Sequence, residues 1–362
     1  MNIFTKLTKR LILPVLFLLG VATVQAQDEE ETGFSFSGSV DTYFRTNLNA
    51  PNTMDLDGDG DDDTFQAPGT SFANLPGFSL GMVNLIASYD GEKSGFVADL
   101  VFGPRGADAV FGSPLYSVTK GSPLNASSQI VNQLYAYWNV SESVTLTIGN
   151  FNTFLGYEVI SPTANYNYST SYMFSYGPFS HSGLKADIAL GEASLMLGVF
   201  NPTDMTEFNL LGQYYGGVQF GIAGQYLNAL FGDDYFQVDY TGGVDIGDAT
   251  YLGINATFNK DLFSGGALYL QQSFSDDFSI GLRGEYFSDV DDVVLALDPT
   301  ADESVIDLTL SANYSVGSLT FIPEFRVDMY SEDAVVTEFN SITDVEVGSS
   351  LASFVVAAVY SF

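Results

Sequence analysis

YFQVDYTGGVDIGDATYLGINATFN, residues 235–259, alternates along nearly its whole length. Phe236, Val238, Tyr240, Gly242, Val244 and Ile246 fall on one face of an extended chain. Tyr235, Gln237, Asp239, Thr241, Gly243 and Asp245 fall on the other. A Gly247-Asp248 turn follows, after which Leu252, Ile254, Ala256 and Phe258 oppose Tyr251, Gly253, Asn255, Thr257 and Asn259. Side chains alternate with period two along a strand, so the stretch reads as an antiparallel hairpin with one apolar and one polar face. A soluble sandwich would turn the apolar face into its core. A transmembrane barrel would turn it to lipid and the polar face to a water-filled lumen. The lengths of the connections separate the two readings.

The same periodicity places strands near 34–48, 78–89, 94–103, 129–140, 144–152, 182–190, 193–200, 213–221, 225–232, 235–246, 249–259, 265–274, 278–289, 304–316, 319–331 and 350–362. The connections alternate in length. Those at 90–93, 141–143, 191–192, 247–248, 275–277 and 317–318 are short, and those at 49–77, 104–128, 153–181, 201–212, 290–303 and 332–349 are long. Short connections near Asp233 and Asp261 are exceptions on the long side. Segregation of short turns from long loops is the pattern of outer-membrane barrels, and an even strand count puts both ends of the domain on one side. The expected fold is therefore an all-β, transmembrane antiparallel outer-membrane β-barrel of about 16 strands. Glycines 216, 217, 221 and 224 blur the register of the eighth and ninth strands, and Pro323 inside a strand suggests a bulge.

The last stretch, SLASFVVAAVYSF (350–362), alternates to its final residue. A strand there needs a neighbour on each edge, and closure onto the first strand supplies the second one. At the other end, Lys6, Lys9 and Arg10 precede an apolar 11–24 segment and a Val24-Gln25-Ala26 cleavage pattern. That is a secretory signal peptide over 1–26, followed by an acidic tail over 27–33 and one barrel domain over 34–362. An apolar run of 14 residues is short for a membrane helix, and no later run reaches 18.

There is no cysteine, which excludes disulfides, thiolate metal sites and a cysteine nucleophile. Without the leader, 8 bases against 44 acids leave a net charge of −36. Nucleic acid is excluded as a partner, because its binding needs clustered Lys and Arg.

The most distinctive stretch is GNFNTFLGYEVISPTANYNYSTSYMFSYGPFSHSGLKA, residues 149–186. Its Gly-Asn-Phe, Gly-Tyr-Glu, Asn-Tyr-Asn-Tyr-Ser and Gly-Pro-Phe elements, with VFNPTD (199–204) and the FQVDYTGG segment, resemble the Bacteroidota β-barrel porin family of OmpL-like character. The resemblance covers essentially the whole chain after the leader. It implies an outer-membrane location in a Gram-negative cell, passive diffusion of small hydrophilic solutes, and no catalytic signature. The aromatic Phe362 on the final strand also resembles the signal read by the barrel assembly machinery. Barrels of this kind are often oligomers, but no interface is legible.

With the polar faces turned inward, the pore-lining candidates are the acids Asp41, Asp99, Asp187, Asp239, Asp245, Glu285, Asp307, Glu324 and Asp328, and the bases Arg45, Lys185, Arg283 and Arg326. Lipid-facing charges would cost about 2–4 kcal/mol each near the midplane, which enforces this assignment. The plain expectation is a solvated lattice of ion pairs along the wall. The sharper one is an acidic field giving mild cation selectivity. Tyr157, Tyr166, Tyr168, Tyr172 and Tyr176 crowd the 153–181 loop. They read either as packing at the barrel mouth and interfacial girdle, or as a constriction with aromatic faces for sugars. Trp138 reads as a girdle anchor.

In DLDGDGDDD (55–63), Asp55, Asp57, Asp59, Asp61 and Asp63 match the first half of an EF-hand loop. Gln66 stands where the bidentate Glu belongs, so the expectation is weak Ca²⁺ binding or a merely solvated loop, and no required cofactor. A hydrolase needs a nucleophile beside its base. The single histidine, His181, has Phe179 and Gly183 two positions away, which favours a structural loop histidine. The remaining alternative is a structural or adhesin-type barrel with a plugged lumen.

Overall fold

The computed structural model describes residues 33–110, 130–206, 209, 212–290, 295 and 303–362. The leader over 1–26 and residues 27–32 of the acidic tail lie outside the described residues.

The strands, in chain order, are β1 (Phe34–Asn47), β2 (Thr53–Met54), β3 (Thr64–Phe65), β4 (Gly77–Asp90), β5 (Ser94–Phe102), β6 (Val131–Ser141), β7 (Val144–Asn152), β8 (Ser180–Leu190), β9 (Ala193–Phe200), β10 (Tyr215–Ile222), β11 (Gln225–Phe231), β12 (Phe236–Ile246), β13 (Thr250–Asn259), β14 (Phe263–Ser275), β15 (Phe278–Asp289), β16 (Ser304–Val316), β17 (Leu319–Tyr330), β18 (Val335–Ser341), β19 (Asp344–Gly348) and β20 (Ser350–Ser361). Two short helices, α1 (Pro104–Ala109) and α2 (Tyr172–Tyr176), lie in long loops. Sixteen of the strands form one closed antiparallel barrel; β2–β3 and β18–β19 are separate hairpins within long loops. Among the described residues, no helix is long and apolar enough to cross a membrane.

The barrel is inside out relative to a soluble protein. Along β16, Ile306, Leu308 and Leu310 are 42–48% exposed, while Asp307, Thr309 and Ser311 are completely buried. The same inversion runs through β13, where Phe258 is exposed and Asn255, Thr257 and Asn259 are buried. Water would not tolerate a continuous exposed apolar belt of this extent, whereas lipid requires one. Aromatic side chains rim the belt. Phe34, Phe36, Tyr89, Trp138, Tyr314 and Tyr360 face outward near the short-turn end, where amphipathic rings settle at the headgroups.

The seam closes as the final strand requires. β20 pairs with β1 on one edge and β17 on the other. The Gly38 N–H donates to the Phe362 carbonyl at 2.9 Å, and the Phe362 N–H donates back at 3.0 Å. No strand edge of the barrel is left unpaired, which is the condition for a sheet to stand in hydrocarbon.

Two expectations need correction. Pro323 makes no bulge: the β16–β17 register is unchanged on either side of it, from Ser311↔Glu324 to Tyr314↔Phe321. Pairing with β20 is unbroken through Pro323↔Val356. The ring's missing N–H interrupts the ladder toward β16 alone, so only local pairing is lost. The second concerns β8, which begins at Ser180, so His181 sits in the wall rather than in a loop. It is fully buried between the rings of Phe154 and Phe200, with Nε2 2.9 Å from Thr153 Oγ1.

A charge on the outer face tests which side meets lipid. Leu308→Arg should destabilise the barrel by about 2–4 kcal/mol in lipid, read by urea titration of tryptophan fluorescence in vesicles. An effect under 0.5 kcal/mol would mean that this belt does not face hydrocarbon.

Candidate functional site

The segment between β7 and β8, residues 153–179, turns back into the barrel. Its neck is closed by the Thr153 N–H donating to the Phe179 carbonyl at 2.9 Å, which makes it an Ω-type loop. Asn165 cinches it by bonding both backbone groups of Val159, at 3.0 and 2.6 Å. Ser171 caps α2 by accepting from the Phe174 N–H at 3.1 Å. The segment carries glycine, proline and polar residues with no strand periodicity, so its backbone groups cannot satisfy one another. Buried N–H and C=O groups must find partners elsewhere.

The wall supplies them. Glu324 on β17 accepts from the N–H groups of Tyr168 and Ser169, at 2.7 and 3.1 Å. Glu285 on β15 accepts from those of Tyr172 and Met173, both at 2.8 Å. Asp239 on β12 accepts from Gly156 N–H at 2.9 Å. Guanidinium groups take the carbonyls: Arg283 donates to Ser169 at 2.8 Å, and Arg326 to Thr170 at 2.8 Å. Arg105, in α1, donates to Ile160 and Tyr168 at 2.9 and 3.1 Å. Within the loop, Glu158 accepts from Ser171 N–H at 2.7 Å and pairs with Arg283 at 2.6 Å. Charge-assisted bonds of this kind contribute about 1.5–3 kcal/mol each, so the set holds the loop firmly.

Shape complements charge. Several glycines on the inward faces of strands stand where loop side chains press against the wall. A Cβ on Gly253 would lie 2.3 Å from the Tyr157 hydroxyl, and one on Gly281 2.8 Å from the Tyr166 carbonyl. One on Gly265 would meet Met173 at 2.8 Å, and one on Gly217 would meet Phe154 at 2.8 Å. Tyr157 stacks on Tyr269 of β14 with centroids 4.2 Å apart. Tyr172 bonds Asp328 at 3.0 Å and Tyr330 at 2.8 Å, and the Tyr168 hydroxyl bonds Asp41. Desolvation pushes the loop phenols up, Tyr166 and Tyr176 to about 12, so they remain neutral.

The whole is a closed 16-stranded barrel with a loop folded into its lumen, charged wall residues beneath that loop and long loops at one rim. The family model described as "Putative beta-barrel porin-2, OmpL-like" matches residues 33–362. The chain belongs to that family. It is an outer-membrane porin. A search of curated proteins finds no match. Among solved structures, it is similar to the anion-selective porin from Comamonas acidovorans, at 11% identity and TM-score 0.52, over 91% of this chain and 99% of that one. It is also similar to in-vitro folded OmpT, an outer membrane protein of Vibrio cholerae, at 13% identity and TM-score 0.51, over 94% and 100%. At such identities the likeness is one of fold.

The charges expected to line the porin's lumen divide into two groups. Asp41, Arg45, Asp99, Asp239, Arg283, Glu285, Asp307, Glu324, Arg326 and Asp328 are at most 4% exposed. The expectation of a solvated ion-pair lattice is therefore corrected: these groups are dry, and most are matched by specific partners. Asp307 is 2.7 Å from Arg283 and 3.6 Å from Arg326, which pairs with Asp328 at 2.7 Å. Asp99 is ringed by the amides of Asn84, Asn132 and Gln133, and Arg45 donates to Asn47 and the Gln66 carbonyl. The second group meets water. Lys185 and Asp187, 2.9 Å apart, keep 24% and 43% of their side chains exposed. Asp245 is exposed near the short-turn end.

The tyrosines pack against the barrel wall, and only their placement in the interfacial girdle is corrected. Tyr168 and Tyr172 are completely buried, and Tyr157, Tyr166 and Tyr176 are partly buried, so none sits in the interfacial girdle. The reading along the chain missed Glu158 and Arg105, which lie in loops without periodicity. It also missed the glycine sockets, although Gly253 and Gly281 share a face with Asn255 and Arg283. A glycine in the inward phase of a strand is the signal that could have found them.

In the acidic loop, one carboxylate oxygen each from Asp55, Asp57 and Asp63 falls within 4.8 Å of the others. Asp59 and Asp61 do not join them; Asp59 accepts instead from the Asp61 N–H at 2.9 Å. Asp55 and Asp63 each accept two backbone N–H groups, which uses part of the oxygen set a cation would need.

Asp204, in the connection after β9, staples the end of the inserted segment. It adopts a left-handed backbone (φ 63°) and accepts from the N–H groups of Phe179 and Ser180, both at 2.8 Å. Desolvation raises its carboxyl to about 6, with those N–H groups partly opposing. A raised value means that the docked state binds the proton more tightly than the unfolded one. Its contribution is then full below about pH 4 and is lost as pH rises through 6. The melting temperature of the wild type relative to Asp204→Asn should fall between pH 4 and 7; a constant difference would remove Asp204 from this role. Gly253→Leu and Gly281→Leu should undock the loop, read as chymotryptic cleavage within 153–179. Continued protection of both variants would show that the sockets are dispensable.

Proposed function

We propose that solutes cross this porin beside the inserted segment, along the half of the lumen wall formed by β6–β12, and that the path is weakly cation-selective. One observation carries the reading: of the inward charges among the described residues, Lys185, Asp187 and Asp245 alone keep contact with water, and acids outnumber the base. The buried acids contribute little to an ion in the path, because hydrogen bonds and guanidinium groups already compensate most of them. Selectivity then depends on a few residues and is mild. The inserted segment sets the width, and the barrel performs no chemistry. Insertion by the barrel assembly machinery through the strand ending at Phe362, contact with outer-membrane lipid and assembly into oligomers belong to the same reading.

Single-channel recording in planar bilayers under a KCl gradient tests it. The wild type should show discrete steps with a small cation bias. Asp187→Asn with Asp245→Asn should abolish that bias, and Lys185→Gln should increase it. Deletion of 160–178 should raise conductance several-fold. An anion-biased reversal potential in the wild type would contradict the assignment.

The extent of burial beneath the loop favours one second reading, a sealed barrel with a structural or adhesive role. It predicts a folded, heat-modifiable barrel with no steps at all, and steps appearing on deletion of 160–178.

A further inference from the structure

On the long-loop side of the inserted segment lies a cavity of about 780 Å³. Five separate connections contribute to it, through residues 69–74, 175–178, 203–205, 235 and 262, together with α1 and the start of β14. Its charged lining residues are Asp108 and Asp204; no lysine or arginine lines it among the described residues. The base beside Asp108, Arg105, is 2% exposed, with its guanidinium 4.3 Å over the Phe72 ring and donating to two loop carbonyls. It is therefore unable to turn toward a solute. Asp108 itself is exposed on α1.

The aromatic part of the lining is fixed in place. Tyr176 donates its hydroxyl to the Gly69 carbonyl at 2.7 Å and packs its ring 5.6 Å from that of Phe287. Tyr235 stacks on Tyr215 at 5.1 Å and donates to Gln237. Phe263 closes the floor, fully buried. Rings held this way lose no freedom when a ligand arrives. An aromatic face beside a carboxylate attracts a cation through the ring quadrupole and through charge. An anion would meet two carboxylates and, among the described residues, no basic side chain. A volume of this size admits a small solute with its hydration.

The geometry points to an outer capture site for small organic ammonium solutes, held between the Asp108 and Asp204 carboxylates and the rings of Tyr176 and Tyr235. The inference rests on the porin reading and names the solute class that its mouth concentrates. Capture here precedes passage and is separate from the selectivity of Asp187 and Asp245 deeper in the barrel.

The test uses choline as the cation, with glucose and glutarate as neutral and anionic comparisons, added to the long-loop side of the reconstituted barrel. Choline should reduce single-channel current at millimolar concentration, and the other two should not. Asp108→Asn, which keeps an oxygen to accept from the Phe72 N–H, and Tyr176→Leu should each raise the half-blocking concentration at least fivefold. Equal block by glutarate, no block by choline in a conducting channel, or block unchanged in both variants would overturn the site. If no channel steps appear, the conduction reading fails. The site is then judged by calorimetric titration of choline into the detergent-folded barrel: binding lost in the variants sustains it, and no binding ends it. Heat-modifiable migration confirms that each variant is folded. If Asp108→Asn does not fold, Tyr176→Leu carries the comparison.

Discussion

The structure depends on one requirement: an irregular backbone segment enclosed by a barrel must have every buried N–H and C=O satisfied. The wall meets it with ionised side chains. Glu285 and Glu324 each hold two successive N–H groups, as an anion sits at a helix start, and Arg283 and Arg326 hold the intervening carbonyls. Sign alternates along β15–β17 because the loop backbone alternates donors and acceptors. The acids and bases of the wall are thus a template for one peptide conformation. Their mutual pairing, with Asp307 between Arg283 and Arg326, keeps the template from carrying a large uncompensated charge.

This arrangement explains the buried inward charges better than a field across the channel does. A charge that is dry and matched contributes to docking and little to permeation. The wall also complements the loop sterically, with bare backbone at Gly217, Gly253, Gly265 and Gly281 where the loop is bulky. Those glycines weaken the strands that contain them. The cost is offset by contacts that no side chain on the wall could make.

The barrel was legible in the sequence because lipid imposes a strict rule on every strand. Alternation in β12, β13 and β16, segregated loop lengths and a terminal alternating strand all report the same constraint. The inward direction of Arg283, Glu285 and Asp307 followed from it. Their partners did not, because Ser169, Thr170 and Tyr172 lie in a segment with no period, more than 100 residues away along the chain. Register fixes which way a side chain points but carries no information about what a loop brings to meet it. The same limit applies to the hairpins β2–β3 and β18–β19, too short or too exposed to show a pattern, and to Pro323, whose effect depends on which neighbour its missing N–H faces.

The neck at Thr153 and Phe179 has a consequence for how the molecule is made. The loop is tethered in the first half of the barrel, between β7 and β8, yet its principal anchors stand on β15–β17, which are synthesised more than 100 residues later. Contacts spanning 156 residues, such as Tyr168 to Glu324, cannot form until those strands are in place. Interactions of such high sequence separation are slow to nucleate. Seating of the loop therefore waits on the placement of β15–β17.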